Sequence, residues 1–139
     1  MNLKEQLIRD EGKVRYAYED SLGFLTIGVG RLIDVRRGGG LSPAEIDFLL
    51  ANDIAEKTTQ VLEALPWAKD LNEPRFAVLV NMAFQMGARG LLEFKKMLQA
   101  AQEGDYGTAA LHMVDSKWAT QTSTRAHRLA EQMESGEWV

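Results

Sequence analysis

Glu11, Asp20 and Thr26 are separated by eight and then five intervening residues in the stretch 11–30, EGKVRYAYEDSLGFLTIGVG. Two carboxylates on different local elements can approach one substrate from opposite sides. Cleavage of a glycosidic bond needs such a pair, one acid to protonate the leaving oxygen and one base to activate water. Acidic residues are common, so the spacing acquires meaning only through the elements that present these side chains.

Residues 2–11 read as a short amphipathic helix. Asn2 can cap it, Glu5 is placed for a capping box, Leu3, Leu7 and Ile8 form an apolar stripe, and Gly12 follows as the stop. Glu11 then occupies the last turn, where the negative end of the helix dipole favours a neutral carboxyl, the form from which a general acid works. Taken alone, a solvated helix-end Glu is the simpler reading. Over 14–29 the pattern changes to VRYAY and FLTIGVG, rich in β-branched and aromatic residues, with the turn sequence EDSLG between them. The expectation is a β-hairpin with Asp20 in its turn and Thr26 on its second strand. By itself Asp20 reads as a turn-forming residue. Gly28 and Gly30 within a strand pattern point to close approach of another group or a ligand.

RRGGG at 36–40 reads as a flexible connection without side chains to pack. A strong helix start follows: Ser42 as N-cap, Pro43 at the first helical position, Glu45 completing a capping box, and Leu41 with Ile46 as a hydrophobic staple. Ile46, Leu49, Leu50, Ile54, Val61, Leu62 and Leu65 keep helical spacing to Pro66, so one long helix is expected to leave a small lobe and tie it to the rest. A central buried helix is expected over 72–86, closed by Gly87, with Asn81 and Gln85 as polar residues that must find hydrogen bonds. Further helices are expected over 91–103, 105–115 and 123–134, with a short turn at 118–121. Trp118 and Trp138 read as core or lobe-edge packing.

The chain has 139 residues, enough for one domain divided into two lobes. It carries 16 Lys and Arg against 20 acids, and the excess lies in 43–86, where three cations face seven acids. That distribution lacks the basic stripe of a nucleic-acid binder. With no cysteine and two isolated histidines, His112 and His127, neither a disulfide framework nor a metal site is expected. The N-terminal MNLKEQLIRDEG has no apolar h-region, and no run is long enough to span a bilayer, so neither a signal peptide nor a signal-anchor is expected.

At this point the residues resemble a known family. DEG at 10–12, the E-x8-D-x5-T frame, TIGVG at 26–30, NMAFQMG at 81–87 and SKWATQTSTRA at 116–126 stand in the order found in phage-type lysozymes of the T-even kind, the endolysins of glycoside hydrolase family 24. The resemblance implies an α+β, two-lobed lysozyme-like fold, in which a small lobe with a β-hairpin is joined by a long helix to a larger helical lobe. It implies a single domain over 1–139, with a small lobe of about 13–55 and a large lobe of about 1–12 plus 56–139. It further implies an endolysin that hydrolyses the β-1,4 bond between N-acetylmuramic acid and N-acetylglucosamine of bacterial peptidoglycan during host lysis, with inversion and without a cofactor. Carried over residue by residue, Glu11 is the proton donor, Asp20 supports the attacking water and Thr26 holds it. Arg125 matches the arginine that pairs with the catalytic glutamate, where its charge opposes the helix-end field. Gln85 and Thr122 match positions on the cleft wall of the large lobe.

Peptidoglycan is the implied partner, without nucleic acid or stable membrane insertion. The protein is expected to wait in the host cytoplasm as a monomer and to reach the wall in the periplasm through a separately made holin. Two departures are visible. Arg31 stands where the T-even enzyme has a histidine in an ion pair, and Asp34 is a candidate partner for it. The segment 32–42 is also shorter, as if RRGGG replaced a small-lobe helix. Two other readings stay open: a lytic transglycosylase, which keeps the glutamate but needs no water-activating carboxylate, and a non-catalytic wall-binding module.

Overall fold

Capping chemistry sets the helix starts. Asn2 Oδ1 accepts from the Glu5 amide while Glu5 returns a bond to the Asn2 amide, and this reciprocal box opens α1 (Leu3–Glu11). Ser42 and Glu45 exchange the same pair of bonds at the start of α2 (Pro43–Ala64). This computed structural model describes residues 1–139 and has the expected α+β class, seven α-helices with one small antiparallel sheet. The chain divides into two compact units, Met1–Leu49 and Leu50–Val139, with the boundary inside α2. No helix is long and apolar enough to cross a membrane.

In the first unit, β1 (Val14–Glu19) and β2 (Leu25–Gly28) form the expected hairpin, with Tyr18 opposite Thr26 and Glu19 opposite Leu25. A bulge between Val14 and Tyr18 shifts the register toward the open end. A third strand, β3 (Arg31–Leu32), was not expected; it pairs with β2 and makes β2 the central strand. Two residues are too few to give a sequence period, so this strand exists only through its partner.

The RRGGG expectation is also corrected. Asp34 caps a 3-10 turn, Val35–Arg37, by accepting from the Arg36 amide, and Gly38 ends it in the left-handed region at φ +68°. Arg31 pairs with Glu45 rather than Asp34, because Asp34 is taken by Arg36. The Arg31–Glu45 pair therefore ties β3 to the capping box of α2.

The core lies in the second unit. The stripe on α2 becomes buried at Val61, and Leu65 continues it, whereas Ile46, Leu49, Leu50 and Ile54 are exposed, as are Leu3 and Leu7 of α1. These exposures correct the expectation of a continuous buried stripe. α3 (Glu73–Leu92) is the central helix, burying Val78, Leu79, Met82, Ala83 and Leu91. Gly87, at φ +78° and ψ +161°, breaks its helical geometry where the sequence placed a stop.

α4 (Lys95–Gln102), α5 (Tyr106–Val114), α6 (Lys117–Gln121) and α7 (Ser123–Ser135) complete the bundle. α4 begins four residues later than expected, because 88–92 continue beyond the Gly87 break as part of α3. Met97, Met113, Leu129 and Met133 pack with α3, and the partly buried Trp67 and Phe76 lean on this cluster. Trp118 is in the core as expected, but Trp138 is exposed near the chain end, past the Gly136 stop of α7.

Candidate active site

The hairpin turn between β1 and β2 is built around the Asp20 carboxylate. Asp20 Oδ1 accepts from the amides of Leu22 and Phe24 at 2.9 and 2.8 Å. The Gly23 amide donates to the Asp20 carbonyl, and Gly23 takes φ +82°, as a three-residue hairpin loop requires. One carboxylate oxygen thus holds the turn while Oδ2 has no bond within the protein. The turn-forming reading and the chemical reading of Asp20 are therefore compatible.

Thr26 lies on the central strand and is only 5% exposed. Its hydroxyl donates to the Phe24 carbonyl at 3.0 Å, leaving the oxygen lone pairs as acceptors. The Asp20 amide donates to that same carbonyl at 2.9 Å. Asp20 and Thr26 are thus fastened to one backbone unit, that of Phe24, which fixes them relative to each other.

Glu11 is the last residue of α1, and its exposed side chain lies against the turn between β2 and β3. A Cβ placed on Gly30 would stand 2.9 Å from Glu11 Oε2, so the carboxylate occupies space that any other residue would fill. This is the close approach the strand glycines pointed to. Gly28 has a different reason: nothing lies within 4 Å of its missing Cβ, but its φ of +70° suits glycine.

The other candidates belong to the second unit and form their own network. Gln85 accepts from the Trp118 indole Nε1 at 2.9 Å, and the Thr122 hydroxyl donates to the Trp118 carbonyl at 3.0 Å. Trp118 also meets Phe94 edge to face at 5.9 Å between ring centres. Arg125 donates through Nε and Nη2 to Asn81 Oδ1 at 3.0 and 2.7 Å. Asn81 is half-buried and Gln85 exposed, which corrects the expectation of buried amides, yet the side-chain oxygen of each is hydrogen-bonded.

Asp34, Arg36 and Phe24 were missed as members of this region. Asp34 is 5% exposed and accepts from the Leu25 amide and from Arg36, whose guanidinium holds the Asp34 carboxyl far below the usual carboxylate range. Arg36 is correspondingly raised, by Asp34 first, with Glu19 and Asp20 adding to it. Glu45 is lowered by its bonds from Ser42 and then from Arg31. The only sequence signal for the Asp34 group was the Asp-x-Arg spacing beside the glycines, which a connection read as flexible conceals.

A profile of the phage lysozyme family matches residues 9–133. The chain is 28% identical to probable T4-type lysozyme 1 of Dictyostelium discoideum, across 97% of this chain and 95% of that protein. It is 32% identical to the pre-baseplate central spike protein Gp5 of Enterobacteria phage T4, across 93% of this chain but 27% of the spike protein. Identity to the peptidoglycan hydrolase gp36 of Pseudomonas phage phiKMV is 25%, across 95% of this chain and 15% of that protein. The profile match takes in both units and all six candidate residues, from Glu11 to Arg125. With Glu11 at the Gly30 turn and with Asp20 and Thr26 fastened to Phe24, the chain belongs to the phage lysozyme family.

Proposed function

We propose that the protein is a muramidase that hydrolyses the β-1,4 bond between N-acetylmuramic acid and N-acetylglucosamine in bacterial peptidoglycan. The observation that carries this reading is the pair Asp20 and Thr26, each anchored on Phe24 with acceptor capacity left over. A water molecule donating one proton to Asp20 Oδ2 and the other to Thr26 Oγ1 presents its lone pair to the anomeric carbon. Glu11, protonated, gives its proton to the leaving glycosidic oxygen, and Asp20 takes the proton released by the attacking water. The product is a reducing N-acetylmuramic acid of inverted configuration. No metal or organic cofactor takes part in this scheme.

Gln85, Thr122 and Arg125 are assigned to the support of the substrate from the helical unit, where Arg125 is held by Asn81. The two units together form one lysozyme domain over 1–139, used in host lysis, with access to the wall through a holin.

Mass spectrometry of the fragments released from purified peptidoglycan tests the reading. Fragments ending in reducing N-acetylmuramic acid are expected, each one water heavier than the anhydro form. Anhydro ends would make the enzyme a lytic transglycosylase and remove the role of Asp20. Glu11→Gln is expected to fold and bind peptidoglycan normally while losing at least about 100-fold in turnover. Near wild-type clearing of cell walls by that variant would remove Glu11 as the acid.

A further inference from the structure

The segment 34–37 braces the turn that carries the proposed water site. Arg36 makes a fork with Asp34, through Nε to Oδ1 and Oδ2 at 2.9 and 3.1 Å and through Nη2 to Oδ2. The same Nη2 donates to the Gly23 carbonyl at 3.0 Å, inside the loop that Asp20 closes. The Arg36 guanidinium also lies over the Phe24 ring at 4.9 Å, and Arg37 lies over it at 4.3 Å.

Phe24 is therefore held twice. Its ring is clamped by two guanidinium groups, and its backbone carries the bonds from Asp20 and Thr26. Asp34 completes the brace at the other end: its carboxylate accepts from the Leu25 amide at 3.3 Å, next to Phe24 on β2. An exposed ion pair alone would contribute little. Here the carboxylate is buried, the fork is bidentate, and Nη2 also donates to a carbonyl of the Asp20 turn, so loss of Arg36 unpins the turn and leaves a buried charge.

We propose that Arg36, anchored by Asp34, is a positioning residue for the nucleophilic water, acting through Phe24 and the Gly23 carbonyl on Asp20 and Thr26. This rests on the reading that Asp20 and Thr26 hold that water. The brace takes over the steadying of the hairpin in a small unit whose 32–42 segment is short. Its assigned action runs through the Asp20 turn, so its loss is expected to act on kcat and not on KM, because misplacing a reacting group by a fraction of an ångström costs rate without costing ground-state binding.

The test is a double-mutant cycle on soluble, uncross-linked peptidoglycan chains, at a temperature well below the thermal midpoint of every variant. Arg36→Ala is expected to lower kcat about 10-fold with KM within about 2-fold of wild type. Arg36→Lys, which keeps the charge but loses the fork, is expected to fall between the two. In an Asp20→Asn background, assayed by long incubation, Arg36→Ala is expected to add no further loss. Wild-type kcat in a folded Arg36→Ala protein overturns the proposal, and so do losses that multiply in the double variant. Should Arg36→Ala not fold, the same cycle is run with Asp34→Asn, whose single side-chain oxygen keeps the acceptor for the Arg36 amide and gives up the one for Leu25, and the same two outcomes decide. Failure of the underlying reading looks different: Asp20→Asn alone then turns over at the wild-type rate.

Discussion

Gly30 has φ +66° and no side chain, and Glu11 Oε2 lies only 2.9 Å from where its Cβ would be. Both facts bear on activity, and they can be separated. Gly28→Ala imposes a left-handed backbone on a residue with a Cβ but meets no neighbour. Its expected cost is about 1–2 kcal/mol of stability, with kcat unchanged. Gly30→Ala carries the same strain and in addition displaces the Glu11 carboxylate, so kcat is expected to fall at least about 10-fold. Steady-state kinetics of the two variants side by side check this; equal kcat values would show that the position of Glu11 does not depend on Gly30. Asp34 gives a pH prediction at the same scale. Its folded carboxyl lies far below the unfolded value, chiefly because of Arg36. The unfolded state therefore takes up its proton first as acid is added. The stabilisation is complete above about pH 4, the ordinary carboxylate value, and is lost as pH falls toward and through the folded value. Thermal midpoints below pH 4 should drop less steeply for Asp34→Asn than for wild type, and parallel profiles would contradict the assignment.

Among the elements, α3 and α7 are joined by polar side chains as well as by their apolar faces. Arg75, near the start of α3, donates through Nε to the Met133 carbonyl at 2.8 Å and through Nη2 to the Glu134 carbonyl at 2.9 Å. Those carbonyls belong to the last turn of α7, where helical partners run out. The guanidinium also stacks on Tyr106 of α5 at 3.6 Å. Asn72 donates to the Gly136 carbonyl and Gln132 to the Pro74 carbonyl, closing the same junction from both sides. Arg75→Met keeps the aliphatic stem but removes both charge-assisted bonds. The expected loss is about 2 kcal/mol in urea unfolding, with peptidoglycan turnover at low temperature preserved. A loss below about 0.5 kcal/mol would mean that water replaces the clamp.

Across the whole molecule, order is unevenly supported. The buried apolar side chains all fall between Val61 and Met133, whereas Met1–Leu49 buries only Thr26 and Asp34 among its side chains. The first unit relies on a three-stranded sheet, two capping boxes and the Arg36 brace, which are polar devices of modest individual strength. Local opening should therefore be easier there. Native-state hydrogen exchange is expected to find the slowest amides in α3, α5 and α7, and those of β1 and β2 exchanging at least about 10-fold faster. Uniform protection would show that the sheet is as firmly held as the helical core.

What the sequence determined by itself was local. Capping residues such as Asn2, Ser42 and Asp105 act within three residues of themselves, so they mark helix starts without knowledge of the fold. Gly12, Gly87 and Gly136 mark stops because positive φ is a property of the single residue. The hairpin and the Asp20 turn were legible for the same reason, and the family order of motifs pointed to Glu11, Asp20 and Thr26. Only the tertiary structure decided what depends on partners distant along the chain. β3 is a strand because β2 pairs with it, Arg31 chooses Glu45 because Arg36 holds Asp34, and Gln85 is satisfied by an indole 33 residues away. The brace on Phe24 belongs to this second kind. A hydrogen bond from Arg36 to the Gly23 carbonyl spans 13 residues, and no periodicity or local propensity records a contact whose two ends meet only after the chain has turned back on itself.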